Sequence, residues 1–178
     1  PPFTEIIALS GSLRPAATTP ALIAARAQNA PSGCRISVYD GLGRLPIFNP
    51  DDEGERTPLE ASRRIDTVTR ADGVIISCPE YAHGVPGGLK NALDWLVSRD
   101  AAVEKPAMLV HASPRSLFAR AALTEIMRTM SFALCEGVLE IALLGKKPPE
   151  VETILAEPES RLAMHNALSA FADFIASR

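Results

Sequence analysis

Gly73-Val74-Ile75-Ile76-Ser77-Cys78-Pro79-Glu80-Tyr81-Ala82-His83-Gly84-Val85-Pro86-Gly87-Gly88-Leu89 is the stretch whose reading decides the fold. It opens with a short, continuous apolar run. Such a run suits a strand covered on both faces, since a half-exposed strand would alternate. Two prolines and three glycines then stiffen and bare the backbone. Leu89, Leu93 and Leu96 follow on one helical face. A doubly covered strand running through a loop into an amphipathic helix is half of a βαβ unit.

The same sentence repeats outward. Strand-like runs stand at Glu5 to Leu9, Arg35 to Tyr39, Ala107 to His111 and Val138 to Ala142. Helical patterns separate them. Pro20 after Thr19 opens one that runs to about Asn29, and Thr57-Pro58-Leu59-Glu60 has a capping-box spelling and opens another, to about Arg70. Leu123, Met127 and Met130 mark a fourth helix. Met164, Leu168, Phe171 and Ile175 mark the last, with Pro158 parting it from a short piece near Glu150 to Ala156. Regular alternation predicts an α/β fold, a parallel sheet with helices on both faces. Five strands in one domain over residues 1–178 fit a flavodoxin-like three-layer sandwich with strand order 2-1-3-4-5. The connection from Asp40 to Arg56 is long and rich in Gly, Pro and Asp. It reads either as a functional loop or as a solvated one.

Composition bounds the function. The chain has 178 residues, 47% hydrophobic and 22% charged. At that length roughly 70% of the unfolded surface is buried, and no disulfide staple is needed. A net charge of -3 argues against nucleic acid, whose phosphates need a basic face. No apolar run approaches a membrane span of ~18 residues. Cys34, Cys78 and Cys135 are isolated from one another in sequence. They form no metal spacing and suit a reducing, cytoplasmic setting, and no basic-then-apolar leader opens the sequence.

Ligands of open α/β sheets sit beyond the strand carboxyl ends where strand order reverses, here between strands 1 and 3. The loop after strand 1 is Ser10-Gly11-Ser12-Leu13-Arg14-Pro15-Ala16-Ala17-Thr18-Thr19. Its hydroxyls, one guanidinium and a following helix N-terminus are the parts of an anion site. It is neither a Walker loop nor Gly-x-Gly-x-x-Gly, so a terminal phosphate suits it better than a pyrophosphate. The same residues also spell an ordinary turn capped by Thr19. In the loop after strand 3, Tyr81 offers a ring face, and the amides of Ala82 to Gly84 suit a heteroaromatic edge. A phosphate grip beside a flat, amide-reading loop describes a mononucleotide cofactor.

These residues resemble the NADPH-dependent FMN reductase family. The resemblance rests on Gly11-Ser12-Leu13-Arg14, on Leu45-Pro46 to Asn49-Pro50-Asp51, and above all on Pro79-Glu80-Tyr81 followed by Pro86-Gly87-Gly88-Leu89-Lys90-Asn91-Ala92-Leu93-Asp94-Trp95. It extends to about Arg128. It implies flavin mononucleotide (FMN) between strands 1 and 3. Ser10, Ser12, Arg14, Thr18 and Thr19 would hold its phosphate, and Pro79, Glu80, Tyr81, Ala82, His83 and Gly84 its ring. It also implies NAD(P)H as hydride donor and a homodimer or tetramer. The chain departs from the family pattern at Ala17 and Thr19, where Ser and Asn are usual, and at Ala82-His83, where Asn-Gly is usual. The loop His111 to Ser116 lacks the glycines often seen there.

Individual residues carry further expectations. No side chain is assigned a catalytic role, because the flavin would carry the chemistry; His83 is a possible substrate contact. Glu80 is expected to orient a loop amide, and Cys78 to be a buried thiol. His83 and His111 lack a third ligand for a metal site. Arg115 is either solvated or a contact to a cofactor phosphate or an acidic substrate. Trp95, off the leucine stripe, and the Leu45 to Asp51 stretch are expected at a subunit contact. The function so implied is an FMN-dependent NAD(P)H oxidoreductase reducing a quinone, an azo or nitro compound, a metal ion or free flavin. A non-catalytic flavin-binding electron carrier or regulator is the alternative. A tyrosine phosphatase would need a Cys in the first loop, and a response regulator an Asp after strand 3. Neither is present.

Overall fold

A computed structural model describes residues 3–13, 30–97, 99–137, 139–143 and 145–178. The expected helix from Pro20 to Asn29, together with Arg14, Thr18 and Thr19, lies outside the described residues. The strands are β1 (Thr4–Ser10), β2 (Cys34–Tyr39), β3 (Gly73–Ser77), β4 (Pro106–His111), β5 (Ala133–Leu134) and β6 (Leu139–Glu140). The described helices are α1 (Leu59–Arg70), α2 (Gly87–Val97), α3 (Leu117–Thr129), α4 (Pro148–Ala156) and α5 (Pro158–Ala176). The sheet order is β2-β1-β3-β4-β5, with β6 also on β4 and every pairing parallel. This is the flavodoxin-like arrangement expected from the alternation.

The two-residue period of the central strands sorts their side chains onto two faces. Ile7 and Leu9, Val74 and Ile76, Ala107 and Leu109 meet Ile65 and Val68 of α1, Leu89, Leu93 and Leu96 of α2, and Leu123 and Met127 of α3. Ile6, Ala8, Ile75, Met108 and Val110 meet Val151 and Leu155 of α4 and Met164, Leu168 and Phe171 of α5. Gly73 lets α5 come this close: a Cβ there would lie 2.7 Å from Ile175 Cδ1 and 2.9 Å from Phe171 Cζ.

Three local expectations change. The run from Arg35 to Tyr39 is an edge strand with Arg35, Ser37 and Val38 exposed, so it is not covered on both faces. The strand expected from Val138 to Ala142 shortens to β6, Leu139–Glu140, and a second short strand that was not expected, β5 at Ala133–Leu134, precedes it. Ala107 pairs with Leu134 and Val110 with Leu139. Three steps on β4 therefore face five on the edge, and Gly137, between the two pieces, sits at φ +102°. The capping box at Thr57 does not form. Thr57 Oγ1 donates back to the Gly54 carbonyl at 2.8 Å, and Pro58 occupies the cap position of α1.

The long connection folds into three 3-10 turns, Leu42–Arg44, Pro50–Asp52 and Gly54–Arg56. It lies against α2. Trp95 is fully buried under it with Leu42, Leu45, Ala61 and Ala92. Trp95 Nε1 donates to the Pro46 carbonyl at 2.9 Å, and Phe48 meets the indole edge-on at 5.0 Å. Asn91 grips both sides of the same turn: its Oδ1 accepts from Phe48 N at 2.8 Å and its Nδ2 donates to Pro46 O at 2.9 Å. Trp95 and Leu45 are thus covered by their own chain and are not surface kept for a second subunit.

Candidate functional site

The carboxyl ends of β1 and β3 come together at the point where strand order reverses. Gly11 N donates to the Ser77 carbonyl at 2.8 Å, which draws the two loops against each other. The contact needs a glycine. A Cβ on Gly11 would lie 2.9 Å from Pro79 Cδ, 3.0 Å from Leu89 Cδ2 and 3.2 Å from Ser77 O. Ser10 and Ser12 are buried at this junction. Ser10 Oγ donates to Ser12 O at 3.1 Å and accepts from Ser12 N at 3.3 Å, which curls the loop. Tyr81 Oη donates to Ser12 Oγ at 3.3 Å. The two loops singled out by sequence therefore meet through Ser12 and Tyr81.

Helix α2 opens into the same region. Its N-terminus begins with Gly87-Gly88, and no heavy atom of a described residue lies within 4 Å of where a Cβ on Gly87 would sit. Leu13 passes 3.7 Å from the Cβ positions of both Gly88 and Gly43. First-turn amides at a helix N-terminus lack intrahelical acceptors and attract negative charge.

The loop after β3 is a tight two-residue hairpin. Tyr81 N donates to Gly84 O at 3.1 Å and Gly84 N to Tyr81 O at 2.9 Å. Ala82 and His83 at its tip both have positive φ, +48° and +58°. That is the geometry of a type I′ turn, whose preferred sequence is Asn-Gly. This chain keeps the turn without those residues, at a strain of about 1 kcal/mol or more for each non-glycine residue. Two contacts oppose the strain. The His83 ring stacks on Phe118 at 4.4 Å and 17°. Glu80 Oε2 accepts the Ala119 N–H in the first turn of α3 at 2.9 Å, so its carboxylate caps that helix. The amide that Glu80 orients belongs to α3, and not to the loop as the sequence had suggested.

The hairpin also revises the expected amide set. The Gly84 N–H is spent inside the turn, so only the Ala82 and His83 amides remain at the tip without an acceptor among the described residues. Gly84 itself is not at positive φ, and a Cβ there would meet only Tyr81 O, at 3.7 Å. The backbone demand falls on positions 82 and 83, which a count of glycines does not reveal.

Behind the hairpin the site is buried. Burial, with the Glu80 carboxylate nearby, pushes the Cys78 thiol up to about 12, so it stays protonated. His111, at the end of β4, is buried, and burial together with the Arg120 guanidinium holds its pKa below the ordinary value. The backbone of Cys78 and the Glu140 carboxylate pull the other way. Arg120 pairs with Glu140 across this corner. Arg115 lies exposed beyond it. Among the described residues no group of three or more His, Cys, Asp or Glu is placed to hold an ion. Sequence reasoning missed Phe118, whose aromatic character alone does not tell that it would back the loop histidine.

The order β2-β1-β3-β4-β5 makes this a doubly wound α/β protein, and the two loops meet at the point where its strand order reverses, which is where open α/β sheets take their ligands. The sequence profile of the NADPH-dependent FMN reductase family matches residues 4–138, and the chain belongs to that family. A quinone reductase from Escherichia coli (strain K12) is 32% identical over 93 residues, 52% of this chain and 50% of that protein. A quinone reductase from Pseudomonas putida is 33% identical over 116 residues, 64% of this chain and 62% of that protein. The matches thus span about half to three fifths of these curated relatives. In three dimensions, the flavoenzyme NAD(P)H:(acceptor) oxidoreductase FerB from Paracoccus denitrificans shares the fold. Its TM-score is 0.78 over 98% of both chains at 21% identity.

Proposed function

We propose that the protein binds FMN in the crevice between β1 and β3 and uses it to pass electrons from NAD(P)H to a second acceptor. The acceptors in view are quinones, azo or nitro compounds, metal ions and free flavin. The observation that carries this reading is the junction itself: Ser12 joined to Tyr81 and Gly11 packed on Pro79, at the carboxyl ends of β1 and β3. The crevice fits the cofactor. Ser10 and Ser12, with Arg14, Thr18 and Thr19 beyond them in sequence, suit the phosphate. Pro79, Glu80 and Gly84 shape the ring loop, Tyr81 offers an exposed ring face, and Ala82 and His83 offer free amides. The flavin, when bound, supplies the redox chemistry; the chain binds, orients and shields it.

Three unpaired cysteines support a cytoplasmic setting, and among the described residues no helix is long and apolar enough to cross a membrane. The net charge of -3 supports small-molecule partners over nucleic acid. A homodimer or tetramer accords with the exposed apolar side chains Ile47, Leu117 and Phe118. Sedimentation at micromolar concentration should show at least a dimer, and a lone 19.0 kDa species with FMN bound would refute that part.

The deciding experiment is anaerobic. The protein with FMN should be yellow and should bleach on adding NADPH or NADH. Binding of FMN without bleaching by either would make it an electron carrier or regulator. In the same titrations Arg14→Ala should weaken FMN by roughly 10- to 150-fold, the loss of one charge-assisted contact of about 1.5–3 kcal/mol. Riboflavin, which has no phosphate, should be nearly unaffected. Equal loss for both ligands would mean that Arg14 shapes the loop and does not read the phosphate.

A further inference from the structure

His83 stands at the tip of the hairpin with its side chain exposed and its backbone at φ +58°. One face of its ring is stacked on Phe118, with the planes 17° apart. Phe118 is itself 57% exposed and belongs to the first turn of α3, which Glu80 ties back to the hairpin through the Ala119 amide. The imidazole is therefore held in a fixed plane by a group anchored on a separate element. Its ring nitrogens make no hydrogen bond to a described residue, so they lie in that plane as unused polar groups at the rim of the crevice. A glycine would satisfy the left-handed backbone at this position with no strain. The ring is thus not there to make the turn.

We propose that His83 is a specificity-determining residue for the electron acceptor, selecting flat quinoid molecules with an oxygen at the ring edge, and that Phe118 is the positioning residue that fixes its plane. This rests on the oxidoreductase reading above. An imidazole pinned by one face presents its N–H edge-on, the geometry a quinone carbonyl accepts in its own plane. An acceptor without such an edge, such as the octahedral hexacyanoferrate ion, gains nothing from that alignment.

The test compares 1,4-naphthoquinone with ferricyanide at pH 8, each with NADPH and NADH, on FMN-loaded protein. His83→Gly keeps the backbone amide, relieves the positive φ and removes only the ring. Its thermal midpoint should hold or rise. The ratio of kcat/KM for naphthoquinone to kcat/KM for ferricyanide should fall roughly 3- to 10-fold, the worth of one ordinary hydrogen bond, mostly through KM. Phe118→Ala should lower the same ratio by less, since the imidazole remains but is no longer held. An unchanged ratio in FMN-loaded His83→Gly would overturn the proposal. If the parent protein, fully loaded with FMN, oxidises neither nicotinamide with either acceptor, the oxidoreductase reading fails and takes this proposal with it.

Discussion

At position 11 one methyl group is enough to separate two loops. Its three nearest neighbours would be Pro79, Leu89 and the Ser77 carbonyl, all at 3.2 Å or less, and two of them are stiff. Overpacking of this kind costs about 1–3 kcal/mol. Gly11→Ala should therefore show mainly as a roughly 5- to 100-fold loss of FMN affinity in a fluorescence titration, with a smaller fall in thermal midpoint. Unaltered affinity would place the ligand away from the Gly11–Pro79 contact. Such single residues were unevenly legible in sequence. Ser12 and Tyr81 could be named because hydroxyl, ring and glycine types cluster in two loops. The demand on Ala82 and His83 could not, because positive φ at non-glycine residues contradicts their ordinary preference and is imposed by hydrogen bonds between Tyr81 and Gly84.

Helix α2 shows why an element is harder to read than its pattern. Leu89, Leu93 and Leu96 face the sheet and were visible by periodicity. Ala92 and Trp95 form a second buried stripe, covered by the connection from Asp40 to Arg56. That loop has no period of its own, so nothing local in the sequence says that it folds back on α2. Trp95 consequently read as a tryptophan left for another subunit. The structure predicts that the loop resists proteases while it is pinned. Asn91→Ala removes both grips on Pro46 and Phe48 and should destabilise the protein by about 1–3 kcal/mol. Trypsin should then cut at Arg44 or Arg56 well before the parent protein is cut there, as mass spectrometry of timed digests would show. Equal digestion rates would mean that Trp95 and the buried leucines hold the loop without Asn91.

At the scale of the whole molecule, topology was the most legible feature. Alternating strands and helices admit few arrangements once crossovers must be right-handed. The sheet edge was the least legible, because β5 and β6 are two residues each and their break depends on pairing with β4. Global stability also carries the cost of His111, buried at the carboxyl end of β4. Its folded pKa lies below the ordinary 6.5 because burial, and then Arg120, disfavour the imidazolium; the Cys78 backbone and Glu140 offset this only in part. The folded state therefore binds fewer protons than the unfolded chain once pH drops toward 6.5 and below. The stability owed to a neutral His111 is present in full above 6.5 and drains away as pH falls through the depressed folded pKa. One proton limits the slope to about 1.4 kcal/mol per pH unit. Urea midpoints at pH 8, 7, 6 and 5 should decline along that limb in the parent protein. His111→Gln cannot be protonated and should start lower at pH 8, because an amide in this corner must find new partners, but it should lose less between pH 7 and 5. Parallel curves for the two proteins would show that other groups carry the acid sensitivity and that His111 titrates alike in the folded and unfolded chains.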